Sequence, residues 1–161
     1  MSKYIHLISF QIQSPINHTV MSWSAPGDNR LDAMADLRKW QDLARTLERG
    51  KFDGLFFADT PGVFDRYRDS HEDAVKYGVC WPSHDPAVLL SALAASTENL
   101  GLAATMSTAA YKPWSIVRQL GTVDYLSGGR VGWNIVTGHL RGEHRALGHT
   151  DVMAHDRRYD A

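Results

Sequence analysis

What most constrains this chain is the order in which two kinds of segment recur. Residues 4–10 (YIHLISF), 52–58 (FDGLFFA), 99–105 (NLGLAAT) and 130–137 (RVGWNIVT) are short and rich in apolar, β-branched or aromatic residues, and they read as strands. Longer runs of helical periodicity separate them. Leu37, Trp40, Leu43, Ala44 and Leu47 share one face before Gly50, a C-cap signal. Asp85-Pro86 opens a second helix as N-cap and first helical residue, followed by Val88, Leu89, Leu90, Leu93 and Ala94. Pro113 opens a third, which carries Ile116, Val117, Leu120, Val123 and Leu126 up to Gly128-Gly129. Further helices are expected around 143–147 and at the end of the chain. Tight turns cannot join parallel neighbours, so alternation of this kind implies βαβ units and a parallel sheet.

Two parallel architectures compete. A doubly wound sheet carries a glycine-rich turn directly after its first strand, and residues 11–15 (QIQSP) are nothing like one. A (β/α)8 barrel places long functional loops after its strands. Residues 11–30 and 59–86 are two such stretches, punctuated by Pro15, Pro26, Gly27, Pro61, Gly62, Gly78 and Pro82. The barrel reading is the stronger. Complete barrels run to about 250 residues, whereas this chain has 161. The expected fold is therefore α/β, the N-terminal half of a (β/α)8 barrel with about four βα units. Residues 1–161 form one incomplete domain. The strands should lie in sequential order with the helices on one side.

Composition narrows the function. Lys and Arg number 17 against 18 Asp and Glu, a net charge of −1 that gives no bulk attraction to nucleic acid or to an anionic membrane. A single cysteine, Cys80, forms no internal disulfide, so a reducing cytoplasm is the expected location. No apolar run reaches the roughly 20 residues of a membrane span, and the first residues carry no signal peptide.

Specific strings carry a resemblance. Residues 124–137 (DYLSGGRVGWNIVT), 52–59 (FDGLFFAD), 85–94 (DPAVLLSALA), 102–108 (LAATMST) and 155–159 (HDRRY) resemble, in the same order, the bacterial-luciferase-like flavin monooxygenases. The branch they are most similar to contains nitrilotriacetate and dibenzothiophene-sulfone monooxygenases. The resemblance implies FMN contacts at Asp59, Thr105, Asn134, Thr137, His155 and Tyr159, with His155 and Tyr159 towards the phosphate end. His139 is the candidate for hydrogen bonding near the reactive edge of the flavin. Asp59, Thr105 and Thr137 also fall at expected C-terminal strand ends, where barrel active sites are built. Two departures stand out. Gly138-His139 replaces the family's small residue and polar partner after Thr137, and Trp23-Ser24-Ala25-Pro26 lacks the basic residues of the family's tryptophan–proline stretch.

The function so implied is a monooxygenase component that takes reduced FMN from a separate NAD(P)H:flavin reductase and uses O2 to oxygenate a small organic substrate. No GxGxxG fingerprint for a dinucleotide is present. The alternative is a truncated, non-catalytic fragment serving as a structural or pairing module. A half barrel would expose sheet edges and an apolar inner face, so these residues alone should self-associate or join the missing half, and should bind FMN poorly. A metal-dependent hydrolase is the weakest option. His139, His144 and His149 recur every five residues, which does not place them on one helix face, and no metal-ligand motif accompanies them, so no metal is expected. Solvated loop positions account for most of the eight histidines. Cys80 reads as a buried, idle thiol, Trp133 as core, Arg130 as a structural residue at the barrel bottom, and Arg157-Arg158 as a solvated helix face.

Overall fold

The computed structural model describes residues 4–15 and 24–160. Trp23 lies outside the described residues. Four strands, β1 (Ile8–Ile12), β2 (Gly54–Ala58), β3 (Gly101–Ser107) and β4 (Val131–Val136), form one sheet in the order β1-β2-β3-β4. Every pairing is parallel. This is the sequential arrangement expected of a growing barrel, with no reversal of strand order.

Among the described residues, six α-helices connect or follow the strands: α1 (Arg30–Met34), α2 (Leu37–Arg49), α3 (Glu72–Tyr77), α4 (Pro86–Ala94), α5 (Pro113–Ser127) and α6 (Arg141–Ala146). Their ends follow from local chemistry. The Asp36 carboxylate accepts the Arg38 amide at the start of α2, and Asp85 accepts the Ala87 amide at the start of α4, satisfying donors that a first turn leaves orphaned. Gly128 ends α5 with φ of 74°, a left-handed conformation that costs glycine nothing.

Helices α2, α4 and α5 pack on one face of the sheet. Leu55, Phe57, Leu102, Ala104 and Met106 meet Trp40, Ala44, Leu90, Leu93 and Ile116 there in a single core. Alternation along the strands sends their neighbours to the opposite face, where Phe10, Phe56, Ala103 and Gly132 share one register row. That face is concave, with an open volume of about 690 Å³ lined in part by Ile8, Phe56, Ala103, Gly132 and Asn134. The two edge strands expose apolar side chains, Ile8 at 62% and Ile135 at 61%.

Several sequence expectations are corrected. The first strand starts at Ile8 rather than Tyr4, because its partner begins at Gly54 and residues 4–7 precede the paired register. The Leu7 amide is instead held by the Asp53 carboxylate at 2.8 Å. The third strand continues to Ser107, so Thr105 lies inside it rather than at its end. α1 begins at the last residue of the first long stretch and α3 lies within the second, each too short to show periodicity in sequence. The last residues form a 3-10 turn, Asp156–Tyr159, in place of a helix start. Trp133, expected in the core, is 37% exposed because β4 is an edge strand; its indole Nε1 donates to the Met106 carbonyl at 3.1 Å. Cys80 is buried, as expected.

Candidate functional site

Parallel strands all deliver their C-terminal ends to the same side, and the sequence-predicted residues gather there in three groups. The first is a polar pair within the sheet. Thr105 and Asn134 are register partners on β3 and β4, and the Asn134 Nδ2 donates to the Thr105 Oγ1 at 2.9 Å. The Thr105 hydroxyl, almost fully buried, donates in turn to the Phe57 carbonyl at 3.0 Å. Thr105 is thus committed to the sheet. Asn134 keeps an amide hydrogen and its carbonyl oxygen for a ligand.

The second group lines a cleft of about 510 Å³ beyond the end of β4, formed by Thr137, His139, His155 and Tyr159 together with Thr108 and Arg158. The His155 and Tyr159 rings lie 5.3 Å apart, and the Asp156 carboxylate sits 2.8 Å from His155 Nδ1. Gly138 shapes this cleft. Its φ is 70°, and a Cβ there would come within 2.6 Å of the Glu143 Oε1. Only glycine fits this backbone and this approach.

The third group is acidic and lies past β2. Burial, then the Asp85 carboxylate with Glu143 adding, pushes Asp59 up to about 6 against an ordinary 3.8, although the Thr60 amide works the other way. The Tyr111 hydroxyl donates to Asp85 Oδ2 at 2.9 Å. Burial and the charges of Asp85, Asp59 and Glu143 raise the Tyr111 phenol well above its usual range, so it stays a donor. Asp59 therefore titrates near neutrality, a property concentrated at functional sites.

Sequence reasoning missed four contributors. Glu143 and His144 are buried, each 2% exposed, where loop solvation was expected for the histidine. Arg158 is half-buried and donates to the Gly138 carbonyl, whereas Arg157 is exposed; only one member of that basic pair is a solvated residue. Tyr111 was not singled out at all. No pattern in the sequence separates Arg158 from Arg157, because the distinction depends on a contact with Gly138 twenty residues away. Among the described residues, no three His, Cys, Asp or Glu side chains converge as a metal cluster.

Comparison with known proteins matches this arrangement to a family. The luciferase-like monooxygenase family profile matches residues 18–161. The long-chain alkane monooxygenase of Geobacillus thermodenitrificans (strain NG80-2) is 40% identical over 161 residues, which cover 99% of this chain and 36% of that protein. A dibenzothiophene-sulfone monooxygenase of Rhodococcus erythropolis (strain XP) is 39% identical over 162 residues, covering 98% of this chain and 35% of the relative. A riboflavin lyase crystallised with modified FMN and riboflavin superposes with a TM-score of 0.89 at 33% identity, over 98% of this chain and 35% of that one. This chain thus spans about a third of the relatives it matches, and its structural neighbours include (β/α)8 barrels. No helix among the described residues is long and apolar enough to cross a membrane. The chain belongs to the luciferase-like monooxygenase family.

Proposed function

We propose that these residues form the first four βα units of a monooxygenase that works with reduced FMN, supplied by a separate NAD(P)H:flavin reductase, and with O2. The observation that carries this reading is the Asn134–Thr105 pair, a polar couple set into an otherwise apolar sheet beside a cleft at the C-terminal strand ends. A flavin ring has an edge of donors and acceptors that an amide can match, and an apolar face suited to such a surface. When bound, the reduced flavin supplies the electrons with which O2 is split between substrate and water.

The chain's own residues would bind, orient and protonate. Asn134 and Asp59 hold the polar edge of the ring, Asp59 carrying its proton over part of the neutral range. Thr137 follows along the end of β4, and His155 and Tyr159 grip the phosphate end. His139, exposed at the cleft, donates a hydrogen bond near the reactive edge. The substrate is a small organic molecule.

The test is Asn134→Leu in the whole monooxygenase, with its later strands present, titrated with FMN by fluorescence quenching. Replacing the amide leaves one polar edge unpaired and should weaken binding by about 1–3 kcal/mol. Equal affinities would remove Asn134 from the site and this reading with it.

A second reading rests on the bare edges, where Ile8 and Ile135 are exposed on strands with one neighbour each. In that reading the chain is a non-catalytic pairing module, and its association is the function. Light scattering with equilibrium dialysis against FMN separates the two: association that proceeds without any flavin binding favours the module.

A further inference from the structure

Behind the cleft lies a smaller chamber of about 190 Å³, walled by Thr108, Thr137, His144, His149 and Arg158. Two of its wall residues carry buried nitrogens with no hydrogen-bond partner, the His144 Nε2 and the Arg158 Nε. A buried donor left unpaired is costly, and native interiors rarely contain even one. Here two such nitrogens belong to residues of different elements that line the same small space. The His144 and His149 rings stand 5.9 Å apart, and Thr108 and Thr137 add hydroxyls. No carboxylate is among the lining residues. Such a space is too small for a flavin and of a size for one oxyanion. Two imidazoles, a guanidinium and two hydroxyls are the donors an oxyanion needs.

We propose that this chamber is an oxyanion pocket, separate from the flavin cleft, that takes the carboxylate, sulfonate or phosphate group of a small organic acid. Thr137 and Arg158 form a shared wall with the larger cleft, so an anionic head held in the chamber leaves the rest of the molecule in the cleft. His155 and Tyr159, assigned above to the flavin phosphate, line the cleft and not the chamber. The pocket stands without the flavin. Only the assignment of its anion to the oxidised substrate rests on the proposed function.

The test titrates inorganic phosphate, and separately methanesulfonate, into the flavin-free protein while the ring C2 protons of His144 and His149 are followed by NMR. Saturable shifts of both rings are expected. Arg158→Gln and His144→Gln should each weaken binding about tenfold, and Thr108→Val less, so the result does not depend on one variant folding. Arg157→Gln, at an exposed neighbour outside the chamber, should leave it unchanged. Absence of saturation, or equal loss in the Arg157 variant, would overturn the pocket. Competition assigns the source. Phosphate displaced by FMN but not by riboflavin would give the chamber to the flavin phosphate and overturn a separate site. Displacement by neither supports the separate pocket. Failure of the whole monooxygenase, with its later strands, to bind FMN would refute the proposed function while leaving the anion titration intact.

Discussion

At the N-terminal edge of the sheet, the Arg130 guanidinium donates to the carbonyls of Ala94, Thr97, Leu100 and Ser127 at 2.9–3.1 Å. At the C-terminal edge, Arg158 reaches only the Gly138 carbonyl and leaves its buried Nε unpaired. The carboxylates divide in the same way. At the first edge one oxygen of Glu48 accepts the amides of Glu98, Asn99 and Leu100, and Asp124 accepts the Val131 amide at 3.0 Å. Past the other edge, Asp65 and Glu143 each bury an oxygen that nothing binds. Every buried unpartnered side-chain atom among the described residues, in Gln13, Asp65, Glu143, His144 and Arg158, follows a strand rather than precedes one. Saturated polar groups at the bottom of a barrel serve stability, and unsaturated ones at the top are what the proposed function would pair with a ligand.

The sharpest way to break this comparison is to remove one arginine from each edge. Arg130→Met orphans four carbonyls at once. It should destabilise the chain by about 2–4 kcal/mol, allowing for partial rescue by water. Arg158→Met removes a single bond and an already orphaned nitrogen, and should cost about 1 kcal/mol or less. Urea unfolding followed by far-UV circular dichroism gives both values. Similar losses at the two sites would erase the distinction.

The two edges should also respond to pH with opposite sign. Burial tends to raise Glu48, but the amides of Asn99, Leu100 and Glu98 and the Arg130 charge outweigh it and hold the carboxyl below its ordinary 4.5. The Leu7 amide, then His6, holds Asp53 below 3.8. A depressed carboxyl gives stability above its unfolded value that is lost as pH falls through the folded one. Asp59 is the reverse. Its folded value is about 6 against 3.8 unfolded, so the native state binds the extra proton and stability falls as pH rises between them. The full shift corresponds to about 3 kcal/mol, and partial solvation reduces what is realised. Asp59→Asn should therefore stabilise the chain by about 1–2 kcal/mol at pH 7 and flatten the fall between about pH 4 and 6. Denaturation midpoints of wild type and Asp59→Asn across that range check it; a wild type that gains on the variant as pH rises would reverse the sign.

How far these features were legible in the sequence depended on the range of the interaction that fixes them. Asp85-Pro86 and Gly128 act within one turn, and both helix ends were readable. The strand order followed from alternation, and Arg130 was placed at the bottom simply by preceding its strand. Asn134 was named through the resemblance carried by residues 124–137. The start of β1 was misplaced because it depends on pairing with Gly54, which an isolated segment cannot display. Glu143 fell in an expected helix and His144 among histidines read as solvated, and nothing in either reading showed their burial. Their burial comes from the approach of the stretch after β2, where Gly62 meets the Glu143 backbone and a Cβ on Gly142 would lie 2.6 Å from the Val63 carbonyl. Contacts between two loops leave no periodic trace.

The smallest predicted effect is the most selective, because it makes one chemical change at both ends. In Glu48→Gln and Glu143→Gln the side-chain length is kept and the charge is lost. At Glu48 a charged oxygen that collects three amides becomes a weaker neutral acceptor, and the loss should be about 1 kcal/mol. At Glu143 the Oε1 lost has no partner to begin with, and it sits against Gly138 where shape matters more than charge. An amide of the same outline gives up no hydrogen bond at that oxygen, so stability should move by about 0.5 kcal/mol or less in either direction. Paired thermal melts at pH 7 resolve the difference between the two variants even where each single value is small. If Glu143→Gln proves the more damaging of the two, Glu143 is holding the structure together, and the top of the sheet is not the unsaturated edge described above.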